Sequence, residues 1–187
     1  MAVKKQSYEV MAPKMFGGKL IGETVASDVK QLVGRVLDVS LIDISNNYSK
    51  FYVKVRLKID SVEGNKAHTK LVGHDVMRER VYRMVQRQGR RVDAVQDVVT
   101  KDGVKLRIKT VFMLIKRVGS STKNATRKLA RDMIDEAAKK ATFEEFMNSI
   151  IAGELQHKLK KECSKVYPLG SIEIRRTELV KEKVAAA

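Results

Sequence analysis

Three histidines and one cysteine are the first side chains to ask for chemistry in this chain, and their spacing gives them little to work with. In Gly73-His74-Asp75 a carboxylate stands beside an imidazole, a pairing that can fix the ring tautomer for acid–base catalysis. Asp75 serves equally well as the cap or first turn of a helix. His157 and Cys163 lie six residues apart in a charged helical stretch, which is neither metal-ligand spacing nor a nucleophile–base pair. A lone cysteine excludes an internal disulfide and leaves no paired thiols to start a zinc site, so Cys163 reads as a small core residue. Gly17-Gly18-Lys19 resembles part of a phosphate loop, but Leu20 stands where Ser or Thr would be needed and the upstream glycine is missing. Asp93 with Asp97, and Asp132 with Asp135 and Glu136, read as strand and helix faces and not as Mg²⁺ clusters. The chain is expected to bind without catalysis, with no catalytic residue, no metal, no cofactor and no small-molecule substrate.

Cations, by contrast, fall in organised sets. Lys54, Arg56 and Lys58 alternate with Val53, Val55, Leu57 and Ile59, so one strand face is core and the other a charged ridge. Lys105, Arg107 and Lys109 repeat the pattern against Leu106 and Ile108. Arg80, Arg83 and Arg87 follow helical spacing beside Met77, Val81 and Met84. Lys123, Arg127 and Lys128 crowd the start of a later helix, where they oppose its dipole unless an anion sits nearby. With Lys14, Lys19, Arg90 and Arg91, these residues form the expected phosphate-facing surface. Aromatic residues are 5% of the chain and tryptophan is absent, so base stacking is left to Phe16, Tyr48, Tyr52 and Tyr82. Recognition by shape and charge is expected over sequence readout.

The elements that must carry these sets can be read in order. A strand is expected near 20–26, a buried one at 33–42, and an amphipathic one at 51–59, with turns at 45–49 and 62–65 and a returning strand at 67–72. A helix is expected over 74–88, stopped by Gly89. Two strands, 92–100 and 104–115, should pair about Asp102-Gly103, whose sequence suits a tight hairpin. After a loop at 119–126 come helices to about 140, from Thr142 to Gly153 and over 155–165, and then a final strand from Ile172. The fold class is α+β, with a curved or barrel-like, mainly antiparallel sheet, one inserted helix, a C-terminal helical block and a last strand returning to the sheet. The expected organisation is an N-terminal basic arm with a short strand (1–30), a β-rich RNA-binding core (31–118), the helical block with its strand packed on that core (119–180), and a frayed tail (181–187).

Of the 187 residues, the first 131 hold 28 Lys and Arg against 12 Asp and Glu, while the remainder is neutral. Such a segregated surplus repels itself unless a polyanion balances it, and the obvious polyanion is a nucleic acid backbone. No apolar run approaches the roughly 18–20 residues of a membrane span, and no apolar stretch follows Lys4 and Lys5 as in a secretory signal. A cytosolic protein is expected, with no membrane partner. Rival readings are an RNA-processing enzyme or accessory subunit built on His74 and Asp75, and an architectural DNA-binding protein.

An ordered set of blocks carries a family resemblance over almost the whole chain. MAPKMF (11–16), IGETVASD (21–28), GRVLDVSLIDI (34–44), VEG (62–64), GHD (73–75), DVVTKDGVKLRIK (97–109) and VYPLGSIEIRR (166–176) resemble the small-ribosomal-subunit protein S-three-A-e family of archaea and eukaryotes. The short C-terminus is similar to the archaeal form. This resemblance implies a structural constituent of the cytoplasmic ribosome that binds small-subunit rRNA on the platform, near the mRNA exit and the rRNA 3′ end. Neighbouring small-subunit proteins would be partners, with mRNA near the exit as a further one.

Overall fold

The structure, a computed structural model, describes residues 5–45 and 48–180. The expected frayed tail at 181–187 and the centre of the 45–49 turn lie outside the described residues. The chain divides into two compact units, the first ending at Asp75 and the second starting at Val76.

In the first unit, β1 (Gln6–Met11) and β2 (Leu20–Ala26) form an antiparallel pair. The opening segment, expected as an arm with one strand, therefore contributes two. Their connection turns through Gly17 and Gly18, both at positive φ (82° and 61°), where side chains other than glycine's are strained. β3 (Val36–Ser40) pairs antiparallel with β4 (Val53–Glu63), and β5 (Lys66–Val76) pairs with β4 and, in parallel, with β1. The strand read at 33–42 is shorter than expected and half exposed, because Leu41–Ser45 turns into helix α1, which buries Leu41 and Ile44 instead. Tyr8, Ala26, Leu32, Ile59 and Ala67 form a buried apolar cluster under these strands.

The second unit is a three-stranded antiparallel sheet in the order β8-β7-β6, with β6 (Arg90–Val99), β7 (Lys105–Leu114) and β8 (Leu169–Leu179). As expected, the hairpin turns at Asp102-Gly103 with Gly103 at φ 77°, and the final strand returns to pair with β7. Asp102 also accepts the backbone N–H of Phe143 at 2.9 Å, so the turn residue ties the hairpin to the next helix. Helices α3 (Ser120–Lys140), α4 (Phe143–Ala152) and α5 (Glu154–Val166) make the expected block, with α3 packed on β6 and α5 on β8. Met147 of α4 receives the Thr177 hydroxyl of β8 at 3.5 Å, and Leu106, Ile108, Phe112 and Leu114 are all buried.

α3 lies close because Thr126, Ala130, Ile134 and Ala138, spaced by four, bury a narrow stripe of mostly small side chains. The neighbouring row is polar and meets the outer edge of β6. Arg127 Nε donates to the Asp93 carbonyl (3.0 Å), Arg131 Nη2 to the Val95 carbonyl (3.1 Å), and Gln96 Nε2 to Asp135 (3.1 Å). Main-chain acceptors of an edge strand are thereby occupied.

The helix expected over 74–88 is cut to α2 (Arg78–Met84). On its N-terminal side His74, Asp75 and Val76 extend β5. On the other, Gln86 to Gly89 must turn the chain back into β6. A Cβ on Gly89 would stand 2.9 Å from the Leu114 carbonyl oxygen, so the turn needs glycine for its close approach to β7. The strand pairing is mixed and mostly antiparallel, and β2, β3 and β6 are left as edge strands, so the sheet is open. The class is α+β.

Candidate nucleic-acid interface

The catalytic candidates do not assemble. His74 is 3% exposed within β5, and Asp75, the next residue of a strand, projects to the opposite face. His157 is exposed on α5 whereas Cys163 is buried, its thiol pushed up to about 11 by that burial and then by the charge of Glu162. Among the described residues no three His, Cys, Asp or Glu side chains stand where they could hold a metal ion, and no helix is long and apolar enough to cross a membrane.

The ridge on β4 has the expected alternation: Val53, Val55, Leu57 and Ile59 are buried while Lys54 and Lys58 face solvent. Arg56 between them has a partner, since β3 sets Asp38 directly opposite and its carboxylate takes a two-pronged bond (2.8 and 3.2 Å). Lys14 and Lys19 are exposed at the two ends of the β1–β2 connection.

The β7 ridge repeats this plan. Arg107 lies opposite Asp97 of β6 and grips it at 2.7 and 2.8 Å. That hydrogen-bonded fork, more than the attraction of charges, holds the Asp97 carboxyl below its ordinary value. Lys109 reaches Glu178 at 3.4 Å, and Arg176 takes the other oxygen of the same carboxylate. Arg91 binds Asp93 (2.8 Å) and Arg80 binds Glu173 (3.4 Å). Of the cations expected at the start of α3, Lys128 is exposed and Lys123 half-buried, but Arg127 is spent on the β6 edge and on Asn124. The loop expected before that helix is itself helical: α3 starts at Ser120, capped by Gly119.

The densest cationic region surrounds α2 and the turn after it. Arg80 and Arg83 line one hollow with Gly89 and Met113; Arg87 lines a second with Gln88, Lys116 and Arg117; Arg78, Tyr82, Arg91 and Arg175 line a third. Lys116, Arg117, Arg78 and Arg175 were not among the residues expected at this surface. A signal for two of them exists in the chain. The hairpin about Asp102-Gly103 pairs Arg90 with Leu114, and continuing that register places Arg87 opposite Arg117 and Gln88 opposite Lys116. Of the aromatic candidates, Tyr52 is engaged edge-to-face by Phe51 at 5.7 Å, while Tyr48 and Tyr82 are 78% and 67% exposed.

Fold and surface together define a class: an α+β protein presenting arginine-lined hollows on a strongly basic unit, with no assembled catalytic group among the described residues. The family follows from comparison, since residues 2–183 match the Ribosomal S3Ae family, and the chain belongs to it. It is similar to the small ribosomal subunit protein eS1 of Methanothrix thermoacetophila, 39% identical over 94% of this chain and 83% of that protein. The protein of the same name from Sulfurisphaera tokodaii is 33% identical over 95% of this chain and 92% of its own length, and that of Methanococcus maripaludis 36% over 92% and 77%.

Proposed function

We propose that this chain is a structural, non-catalytic constituent of the small subunit of an archaeal cytoplasmic ribosome, where it holds small-subunit rRNA on the platform near the mRNA exit and the rRNA 3′ end. Family membership and the name shared by its relatives support the ribosomal role. The observation that carries RNA contact is the concentration of arginines around α2, on a segment with a large cationic surplus. Phosphate contact falls chiefly to Arg83, Arg87, Arg90, Lys116 and Arg117, joined by Lys14, Lys19, Lys54, Lys58, Lys105, Lys123 and Lys128. Arg56, Arg80, Arg91, Arg107 and Lys109 act with their carboxylate partners in place and add less net charge, while Arg127 keeps its charge but is held against the β6 edge by neutral acceptors. The electrically balanced segment from Asp132 onward is suited to neighbouring ribosomal proteins, and mRNA passes close by.

Sedimentation with purified small subunits tests the assignment. The chain is expected to migrate with the particle, and binding to small-subunit rRNA should fall with salt at a log–log slope on the order of −7 to −9 if about ten phosphates are neutralised. A chain that stays at the top of the gradient, or a slope near about −2, overturns it.

A further inference from the structure

We propose that the hollow bounded by Arg78, Val81, Tyr82, Arg91 and Arg175 binds a single unpaired nucleotide of RNA, its base stacked on Tyr82 and its phosphate held by the arginines. The inference rests on the RNA-binding reading above and goes beyond it, because broad phosphate contact requires neither a pocket nor an aromatic ring.

Arg78 and Tyr82 are four residues apart on α2 and so share a face, while Arg91 comes from β6 and Arg175 from β8. Three guanidinium groups converge on one hollow whose lining includes no carboxylate. Arg91 is turned toward Asp93 by its Nε and one terminal nitrogen, which leaves its other terminal nitrogen available. Arg175 is less comfortable: its Nε is shut off from water and has no hydrogen-bond partner among the described residues. A buried donor left unmade is costly, and like charges brought together add to that cost. A phosphate in the hollow relieves the crowding of charge, because its oxygens accept N–H bonds from the terminal nitrogens of guanidinium groups and carry the missing negative charge.

The ring decides which phosphate. Tyr82 exposes an aromatic surface at the mouth of a cationic hollow, and in double-helical RNA the base faces are already covered by their neighbours. Only a bulged, looped or terminal nucleotide can offer both a free face and its own phosphate within reach of the same pocket. Stacking is tolerant of base identity, so this site selects an unpaired nucleotide and not a particular letter.

The chain lacks tryptophan, so Tyr82→Trp gives a fluorophore confined to the pocket. The protein is titrated with two RNA hairpins of identical stem, one fully paired and one carrying a single bulged nucleotide. The bulged hairpin is expected to bind more tightly and to quench the Tyr82→Trp emission, and the paired one to leave it nearly unchanged. Tyr82→Leu, which replaces an exposed side chain and leaves the core alone, should remove a preference of about tenfold while keeping the affinity for the paired hairpin. Arg175→Gln should remove it as well. Equal affinity of the unmodified protein for both hairpins, or a preference that survives Tyr82→Leu, overturns the pocket while the RNA-binding reading stands. Failure to bind either hairpin with a steep salt dependence overturns both.

Discussion

At the scale of single residues, the cross-strand partner decides whether a cation is available. Arg56 and Arg107 sit in the middle of their ridges, and each faces an aspartate in register on the adjacent strand. Exposed pairs of this kind contribute little to stability, about 0–1 kcal/mol, but they withhold charge from a polyanion. Asp97→Asn is therefore expected to free the Arg107 guanidinium, tighten RNA binding and steepen the log–log salt slope by about one, with little change in the melting temperature. A slope unchanged by Asp97→Asn in filter-binding measurements would show that Arg107 meets no phosphate. The ridges themselves were legible in the sequence, since alternation of Lys and Arg with Val, Leu and Ile needs only the two-residue period of a strand. Asp97 opposite Arg107 follows from the hairpin about Asp102-Gly103, but Asp38 opposite Arg56 was not legible, because β3 reaches β4 only through a longer connection that includes α1, and no local pattern states that register.

At the scale of elements, short-range signals survived where they had a mechanism of their own. Thr142 accepts the Glu145 N–H through its hydroxyl, and Glu145 returns the bond to the Thr142 N–H at 3.0 Å, closing a reciprocal cap on α4. The backbone N–H of Thr142, then its hydroxyl, hold the Glu145 carboxyl below its ordinary value of 4.5. A carboxyl lowered on folding stabilises the protein above the unfolded-state value, and this contribution fades as pH falls through the lowered one. Thermal melts from neutral pH down to about pH 3 should show Thr142→Ala less stable by about 1 kcal/mol at neutral pH, while Glu145→Gln loses part of the acid sensitivity. A wild-type slope retained in Glu145→Gln would rule out this role. α2 is shorter than its periodicity implies for the opposite reason. Periodicity over 74–88 is helical in pattern, but His74 and Val76 are consumed by a long strand, and Gly89 is fixed by the approach to Leu114, a contact far away in sequence.

At the scale of the molecule, the cationic surplus can be placed more narrowly than the sequence alone suggested. Residues 1–75 hold 12 Lys and Arg against 8 Asp and Glu, residues 76–131 hold 16 against 4, and residues 132–187 hold 10 of each. Most of the excess thus lies on the segment that builds α2, β6, β7 and the start of α3. Replacing Arg87, Lys116 and Arg117 together with Gln should flatten the salt slope by roughly 2–3. Replacing Lys158, Lys160 and Lys161 of α5, equally exposed but in the neutral segment, should leave it unchanged. Equal losses from the two triple variants would mean that charge is read diffusely over the surface. The same segment lays out how the chain waits for its transcript. Because two guanidinium groups of α3 already occupy the Asp93 and Val95 carbonyls on the outer rail of β6, a newly made copy offers its siblings a shorter seam there to zip onto in the interval between synthesis and assembly.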